Sequence, residues 1–229
     1  MSDAAFRALA RAASQAYPRG DRFARNFAYG KLKGDPVFKW ILDEGLVPPG
    51  ARVLDLGCGQ GLLASLLFAA RVERVSYTGI DLRERDIERG RAMAKALAPT
   101  AAGRAMLRAG DIRYEPYPAS DLIVILDVLH YIDYRAQASV FDRVTEALAP
   151  GGTLLLRVAD DDRSLRFRWT TFVDRFANRM RGETVRKLYC RSLDNWREHL
   201  QRRRLVVTPV PMSAGTLFNN VVLLARYDS

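Results

Sequence analysis

The chain has 229 residues, 48% of them apolar, and a formal net charge of +10. That length suits one α/β domain with a modest addition, and with that apolar share disorder is not the default reading. No apolar run approaches the roughly 20 residues of a membrane span; the longest, residues 122–129, is interrupted by Asp127 and reads as a doubly buried strand.

The first 50 residues read as helical, with breaks at residues 18–20, 34–36 and 48–50 where Pro and Gly cluster. They form an expected N-terminal helical cap segment, 1–50, ahead of a main domain, 51–229. From there strands and helices alternate. Residues 52–56 form a short apolar strand, 61–70 a Leu/Ala-rich helix, 75–80 a second strand and 85–98 a helix ended by Pro99. Residues 105–109 make a weak third strand and 122–126 a strong fourth. A helix over 136–148 stops at Pro150 and Gly151, and 153–158 is a fifth strand. Such alternation implies βαβ units, a mostly parallel sheet and helices on both faces.

After residue 158 the period changes. Leu165, Trp169, Phe172, Phe176 and Met180 recur at three- and four-residue steps, the pattern of an amphipathic helix with an aromatic stripe. It serves either as a lid over a pocket, in a helical insertion at about 160–204, or as plain core. A helix over 192–203 follows, with Ser192 as its N-cap. Residues 205–208 and 219–225 then close the chain as an antiparallel pair at the sheet edge.

The segment V-L-D-L-G-C-G-Q-G-L-L runs from a strand through Asp55 into a turn with Gly57, Gly59 and Gly61. Glycines let the backbone turn tightly and approach a ligand, and the helix that follows offers unpaired N–H groups. Twenty residues beyond Gly61, Asp81 ends the second strand, where an acid can accept both hydroxyls of a ribose. A dinucleotide fingerprint, G-x-G-x-x-G, would need glycine at position 62, and Leu62 stands there.

With these motifs in order, the chain resembles the class I S-adenosylmethionine-dependent methyltransferases over roughly residues 50 to 160. D-L-G-C-G-Q-G resembles that family's first motif and Asp81 its ribose-binding acid. G-D-I at 110–112 resembles its adenine-binding motif. D-L-I-V-I-L-D-V-L-H-Y-I is similar to the fourth-strand motif, and L-A-P-G-G-T-L-L-L to the turn and strand after it. The resemblance implies a seven-stranded Rossmann-like sheet with an antiparallel terminal strand, and S-adenosyl-L-methionine as cofactor. It implies Asp55, Gly57, Cys58, Gly59 and Gly61 around the methionine part, and Asp81 with Leu82 at the ribose. Asp111 and Ile112 meet the adenine, and Asp127 borders the cofactor at the end of the fourth strand. Tyr29 and Lys31 either reach the cofactor carboxylate or lie on an ordinary surface loop.

His130 and Tyr131 follow the fourth strand and are the candidate catalytic pair. A histidine there has the pKa of a general base, or else it packs within the loop. His199 sits in a basic helix with no motif around it. Asp160, Asp161 and Asp162 read as a solvated helix start rather than a metal site.

The D-V-L-H sequence resembles small-molecule O- or C-methyltransferases, and several phrases are similar to bacterial methyltransferases of aryl-polyene-type pigment pathways. These resemblances imply an aromatic or acyl acceptor, carried by an acidic carrier protein. Residues 157–204 hold fourteen Lys/Arg against seven Asp/Glu, and residues 1–50 eight against five, so basic flanks would steer such a partner. The competing readings are an RNA methyltransferase, which the charge suggests, and a cofactor-binding protein without catalysis. No RNA-binding module is recognisable, which places nucleic acid outside the expected partners. Two cysteines, one of them inside the turn, make no disulfide framework. No signal-peptide pattern opens the chain, and the expected location is cytoplasmic.

Overall fold

A computed structural model describes residues 1–97, 104–159, 188–212 and 220–227. The chain divides into two compact units, Met1–Val124 and Ile125–Ser229. Seven strands form one sheet in the order β3-β2-β1-β4-β5-β7-β6. This is the mostly parallel sheet that the alternation implied, in the Rossmann-like form with an antiparallel terminal strand that the resemblance implied.

The first unit opens with α1 (Asp3–Gln15), α2 (Arg22–Gly34) and α3 (Pro36–Asp43), each started by an N-cap whose side chain accepts a backbone N–H: Ser2, Asp21 and Asp35. Pro36 at the first turn of α3 loses no hydrogen bond there. Phe6, Ala10 and Ala13 are the buried stripe of α1, and Tyr17 just beyond it is 1% exposed. β1 (Arg52–Leu56) pairs in parallel with β2 (Ser76–Asp81), and β2 with β3 (Arg104–Ala109). Between β1 and β2 runs α4 (Leu62–Ala69), whose residues 62–68 are all buried. A helix apolar all round belongs in the interior, and the one polar side chain on it, Ser65, donates to the Leu62 carbonyl at 2.8 Å. α5 (Glu84–Leu97) buries Ile87, Gly90 and Met93. Gly90 is needed for packing: a Cβ there would lie 2.9 Å from the Gln60 carbonyl oxygen, a backbone atom that cannot yield.

The strand β4 (Ser120–Leu126) begins two residues before the expected start, and the unit boundary falls within it. In the second unit, the 3-10 turn Leu129–Tyr131 leads to α6 (Tyr134–Ala147), capped by Asp133, and then to β5 (Leu148–Ala159). The helix ends one residue earlier than its sequence pattern implied. Pro150 disfavours helical geometry at the residue before it, so the chain straightens from Leu148 and β5 starts ahead of Pro150 rather than after it. α7 (Leu193–Gln201) has Ser192 as N-cap, as expected, and buries Trp196 and Leu200. Trp196 meets Phe141 of α6 edge-on, with centroids 5.9 Å apart.

β7 (Asn220–Tyr227) runs antiparallel to both β5 and β6 (Leu205–Pro211). β6 extends past the expected end at Thr208, through Pro209 and Pro211. It tolerates both prolines because it is the edge strand, with a ladder on one side only. The aromatic stripe of residues 165–180 and the acids at 160–162 lie outside the described residues. Among the described residues no helix is long and apolar enough to cross a membrane.

Candidate functional site

In the first unit, the ends of β1, β2 and β3 hold the cofactor-binding candidates. After Leu56 the backbone enters the left-handed region at Gly57, Gly59 and Gly61, with φ of 81°, 55° and 78°. L residues rarely adopt that conformation, which is why three glycines stand here. The Gly57 and Cys58 N–H groups both donate to the Ile80 carbonyl, at 2.7 and 3.2 Å, fastening the turn to β2. The last two of the three glycines differ in use. A Cβ on Gly61 would sit 2.8 Å from Leu107 Cδ2, whereas one on Gly59 would meet nothing within 4 Å. Gly61 serves packing, and Gly59 keeps open space beside the turn. The Cys58 side chain packs with Ile87 and Leu107, and burial, with the charges of Asp55 and Asp81, pushes its thiol up. Neither cysteine is in a disulfide.

Asp81 is 7% exposed. Its Oδ2 accepts the Gly59 N–H at 2.8 Å and its Oδ1 the Arg83 N–H at 2.9 Å. The acid twenty residues downstream thus holds the turn itself, and each oxygen keeps a lone pair for a ligand hydroxyl. Leu82, beside it, is 73% exposed. The Gly110 N–H donates to the Asp81 carbonyl at 2.9 Å, which joins the end of β3 to the same place. Asp111 forms an ion pair with Arg113 at 2.6 Å; that guanidinium holds its carboxyl below the usual range. Ile112 is buried, and its carbonyl accepts the Tyr117 hydroxyl at 2.5 Å.

Asp55 is buried at the end of β1 and accepts a 2.5 Å hydrogen bond from the Tyr77 hydroxyl of β2. Burial pushes Asp55 up to about 7; the Tyr77 hydrogen bond opposes that and the Asp81 charge adds to it. Burial likewise raises Tyr77. The N-terminal helices hold the turn from its other side. The Tyr17 hydroxyl donates to the Gln60 carbonyl at 3.0 Å, and Gln60 Nε2 donates to the Ala24 carbonyl at 2.9 Å. Asp21, at the start of α2, pairs with Arg89 of α5 at 2.6 Å. Tyr29 stands further along α2, with Arg11 and Lys33 5.1 and 5.7 Å from its ring centroid.

Tyr17, Gln60, Tyr77 and Gly90 escaped the sequence reading. Tyr17 and Tyr77 look like ordinary apolar positions, and Gln60 occupies a place that a glycine motif leaves unspecified. Gly90 lies inside a helix, where only tertiary contact explains it.

In the second unit, Asp127 follows β4 with a φ of 57°, unusual for a residue other than glycine. The Arg157 side chain grips its carboxylate through Nε, at 2.9 Å, and through Nη2. The Arg157 side chain is 2% exposed and that of Asp127 32%, so a buried guanidinium meets a half-buried carboxylate. Gln137, fully buried on α6, organises the following turn. Its Nε2 donates to the Leu129 and Tyr189 carbonyls at 2.9 and 2.8 Å, and its Oε1 accepts from Arg191 Nε at 2.7 Å. His130 and Tyr131 lie in this turn with ring centroids 4.1 Å apart. His130 is buried, and burial lowers its pKa while Asp127 acts against that. Tyr131 is 36% exposed. The His130 ring borders a cavity of about 10 Å³, lined also by Leu129, Arg157, Val158, Cys190 and Trp196. That space suits about one water and is too small for an organic acceptor.

The first-unit arrangement therefore offers a backbone turn with open space and two acids, Asp55 and Asp81. No Lys or Arg makes an ion pair with Asp55 among the described residues. Arg83 Nε stands 4.0 Å from Asp81 Oδ1, which leaves Asp55 as the acid best suited to a ligand's positive charge.

Residues 54–154 match the family described as "Methyltransferase domain". Carboxy-S-adenosyl-L-methionine synthase of Chromohalobacter salexigens is 33% identical over 130 residues, covering 56% of this chain and 46% of that protein. The tetracenomycin polyketide synthesis 8-O-methyl transferase of Streptomyces glaucescens is 34% identical over 112 residues, 48% of this chain and 32% of that one. The aligned part of the chain thus spans less than half the length of these curated relatives. Among solved structures, magnesium protoporphyrin IX methyltransferase from Synechocystis PCC 6803, with bound SAH, superposes with a TM-score of 0.63. It covers 93% of this chain and 92% of its own at 19% identity, which speaks to the fold alone. The match to the methyltransferase-domain family thus covers under half of the chain, and the fold agrees with it.

Proposed function

We propose that this chain transfers a methyl group from S-adenosylmethionine to an oxygen or carbon of a small molecule. The observation that carries the reading is the glycine turn bound by Asp81 through the Gly59 N–H, with buried Asp55 beside it. Asp55 and the turn would hold the methionine part, Asp81 the ribose hydroxyls, and Asp111 with Ile112 the adenine. Leu82 adds exposed apolar surface next to Asp81. The bound cofactor supplies a methyl group activated on a sulfonium. Alignment of an acceptor with it accounts for much of the rate gain in such displacements.

Burial keeps His130 neutral at neutral pH, the form in which an imidazole accepts a proton. In this reading His130 takes the proton of a hydroxyl acceptor and Tyr131 lies against it. An aromatic or acyl acceptor is supported by the similarity to a polyketide O-methyl transferase. It is also supported by the resemblance to aryl-polyene-type pathway enzymes. Delivery on an acidic carrier is supported by the basic flanks.

The test is incubation of the purified chain with methyl-labelled cofactor, a native small-molecule extract and, separately, purified RNA. Label in a small molecule, lost in His130→Ala, is the expected result; label in RNA alone overturns it. A rise in melting temperature with S-adenosylmethionine but not NAD reports the cofactor independently. The similarity to a carboxy-S-adenosyl-L-methionine synthase favours a second reading, in which the cofactor itself is modified. Mass spectrometry of the nucleoside after turnover separates the two.

A further inference from the structure

Tyr77, which holds Asp55, is not absorbed by the cofactor-binding motifs. Asp55 is 4% exposed and Tyr77 1%. The Tyr77 hydroxyl donates to Oδ2 at 2.5 Å, and among the described residues no donor reaches Oδ1. Oδ1 is not among the fully buried side-chain atoms that lack a partner, so it stays open to a donor from outside the protein. The groups facing Asp55 are Tyr77 and Asp81 from β2 and Cys58 from the turn, so none brings a positive charge. A ligand that brings positive charge and N–H groups would complement these surroundings.

We infer that Tyr77 is a positioning residue, which orients Asp55 so that its free oxygen receives the ammonium group of the bound cofactor. This rests on the cofactor reading above and adds to it a residue that the glycine motif does not specify. The register supports it: Asp55 pairs with Gly79 across β1 and β2, and Tyr77 lies two residues earlier, on the same face of β2 as Gly79. With Gly79 lacking a Cβ, the side chain at 77 reaches along the strand to Asp55. A Cβ on Gly79 would stand 3.1 Å from Tyr77 Cε1 and 2.7 Å from Cys58 Sγ.

Because burial pushes Asp55 up to about 7, an ammonium ligand must bind as Asp55 loses its proton. Affinity for such a ligand then rises with pH through about 7, by up to about tenfold per unit below that point. The hydroxyl of Tyr77 favours the carboxylate, and its removal moves that rise to higher pH.

The experiment is calorimetric binding of two ligands between pH 5.5 and 8.5. S-adenosylhomocysteine carries the amino acid end, and 5′-methylthioadenosine lacks it. In the natural chain, S-adenosylhomocysteine binding should strengthen with pH while methylthioadenosine binding stays flat. Tyr77→Phe should weaken S-adenosylhomocysteine about tenfold at pH 7, shift its pH dependence upward, and leave methylthioadenosine within about twofold. In an Asp55→Asn background, which has no buried charge to be stripped of its donor, adding Tyr77→Phe should change S-adenosylhomocysteine binding less than about twofold. Equal weakening of both ligands, an unmoved pH dependence, or a full loss in the Asp55→Asn background overturns the inference alone. A natural chain that binds neither ligand overturns the cofactor reading with it.

Discussion

Two aspartates near the ends of apolar strands, Asp55 in β1 and Asp127 just after β4, are held in opposite ways. Asp55 is partnered by a phenol and faces another acid, so burial leaves it close to neutrality. Asp127 is partnered by a buried guanidinium and forms a complete ion pair. The backbones differ too. The turn after Asp55 is left-handed at three glycines, while the turn after β4 goes left-handed at Asp127 itself. A site built from glycines and an unneutralised acid has room and charge to receive a ligand. One built from an ion pair and the Gln137 hydrogen bonds is already satisfied, and its first task is to hold the His130 turn in shape.

The largest expected effect tests that second half. Asp127→Ala leaves buried Arg157 without its carboxylate and should cost about 3 kcal/mol in urea unfolding, with Asp127→Ala/Arg157→Met recovering most of it. A loss under about 1 kcal/mol would mean the pair is dispensable and the contrast fails. Gly61→Ala should cost about 2 kcal/mol, since it adds left-handed strain and a contact with Leu107.

Asp55→Asn should have the opposite sign at high pH. The folded pKa of Asp55 lies near 7 and the unfolded one near 3.9, so folding gains protons in that window. This group's contribution to stability therefore falls as pH rises from about 4 to about 7. Asp55→Asn removes that dependence and should gain about 1–2 kcal/mol at pH 8 relative to pH 5 in parallel unfolding curves. No pH difference would place Asp55 in an ordinary ionised state. The smallest effect is Asp133→Ala, loss of the cap that accepts the Arg135 and Ala136 N–H groups at 3.0 and 2.9 Å. It should cost about 1 kcal/mol by thermal unfolding and leave cofactor affinity unchanged.

Much of this was legible in the residues. β1 matches its expected span, Arg52–Leu56, and Ser192 caps α7 as its position implied. The strand ends were less so. β6 runs through two prolines because it is an edge, and edge position is a property of the whole sheet. For the site, the glycines and Asp81 announce themselves by spacing. Arg157 and Gln137 do not, since each lies in an element of ordinary composition and acts on a turn distant in sequence.

The sequence by itself determined the order of strands and helices and the glycine turn. It also determined the exclusion of a dinucleotide motif by Leu62, because periodicity, backbone freedom and residue spacing are local properties. Only the tertiary structure decided which acid is neutralised. Tyr77 and Arg157 come to their aspartates from 22 and 30 residues away, and burial then turns a phenol or a guanidinium into the difference between an acid near neutrality and a fixed ion pair.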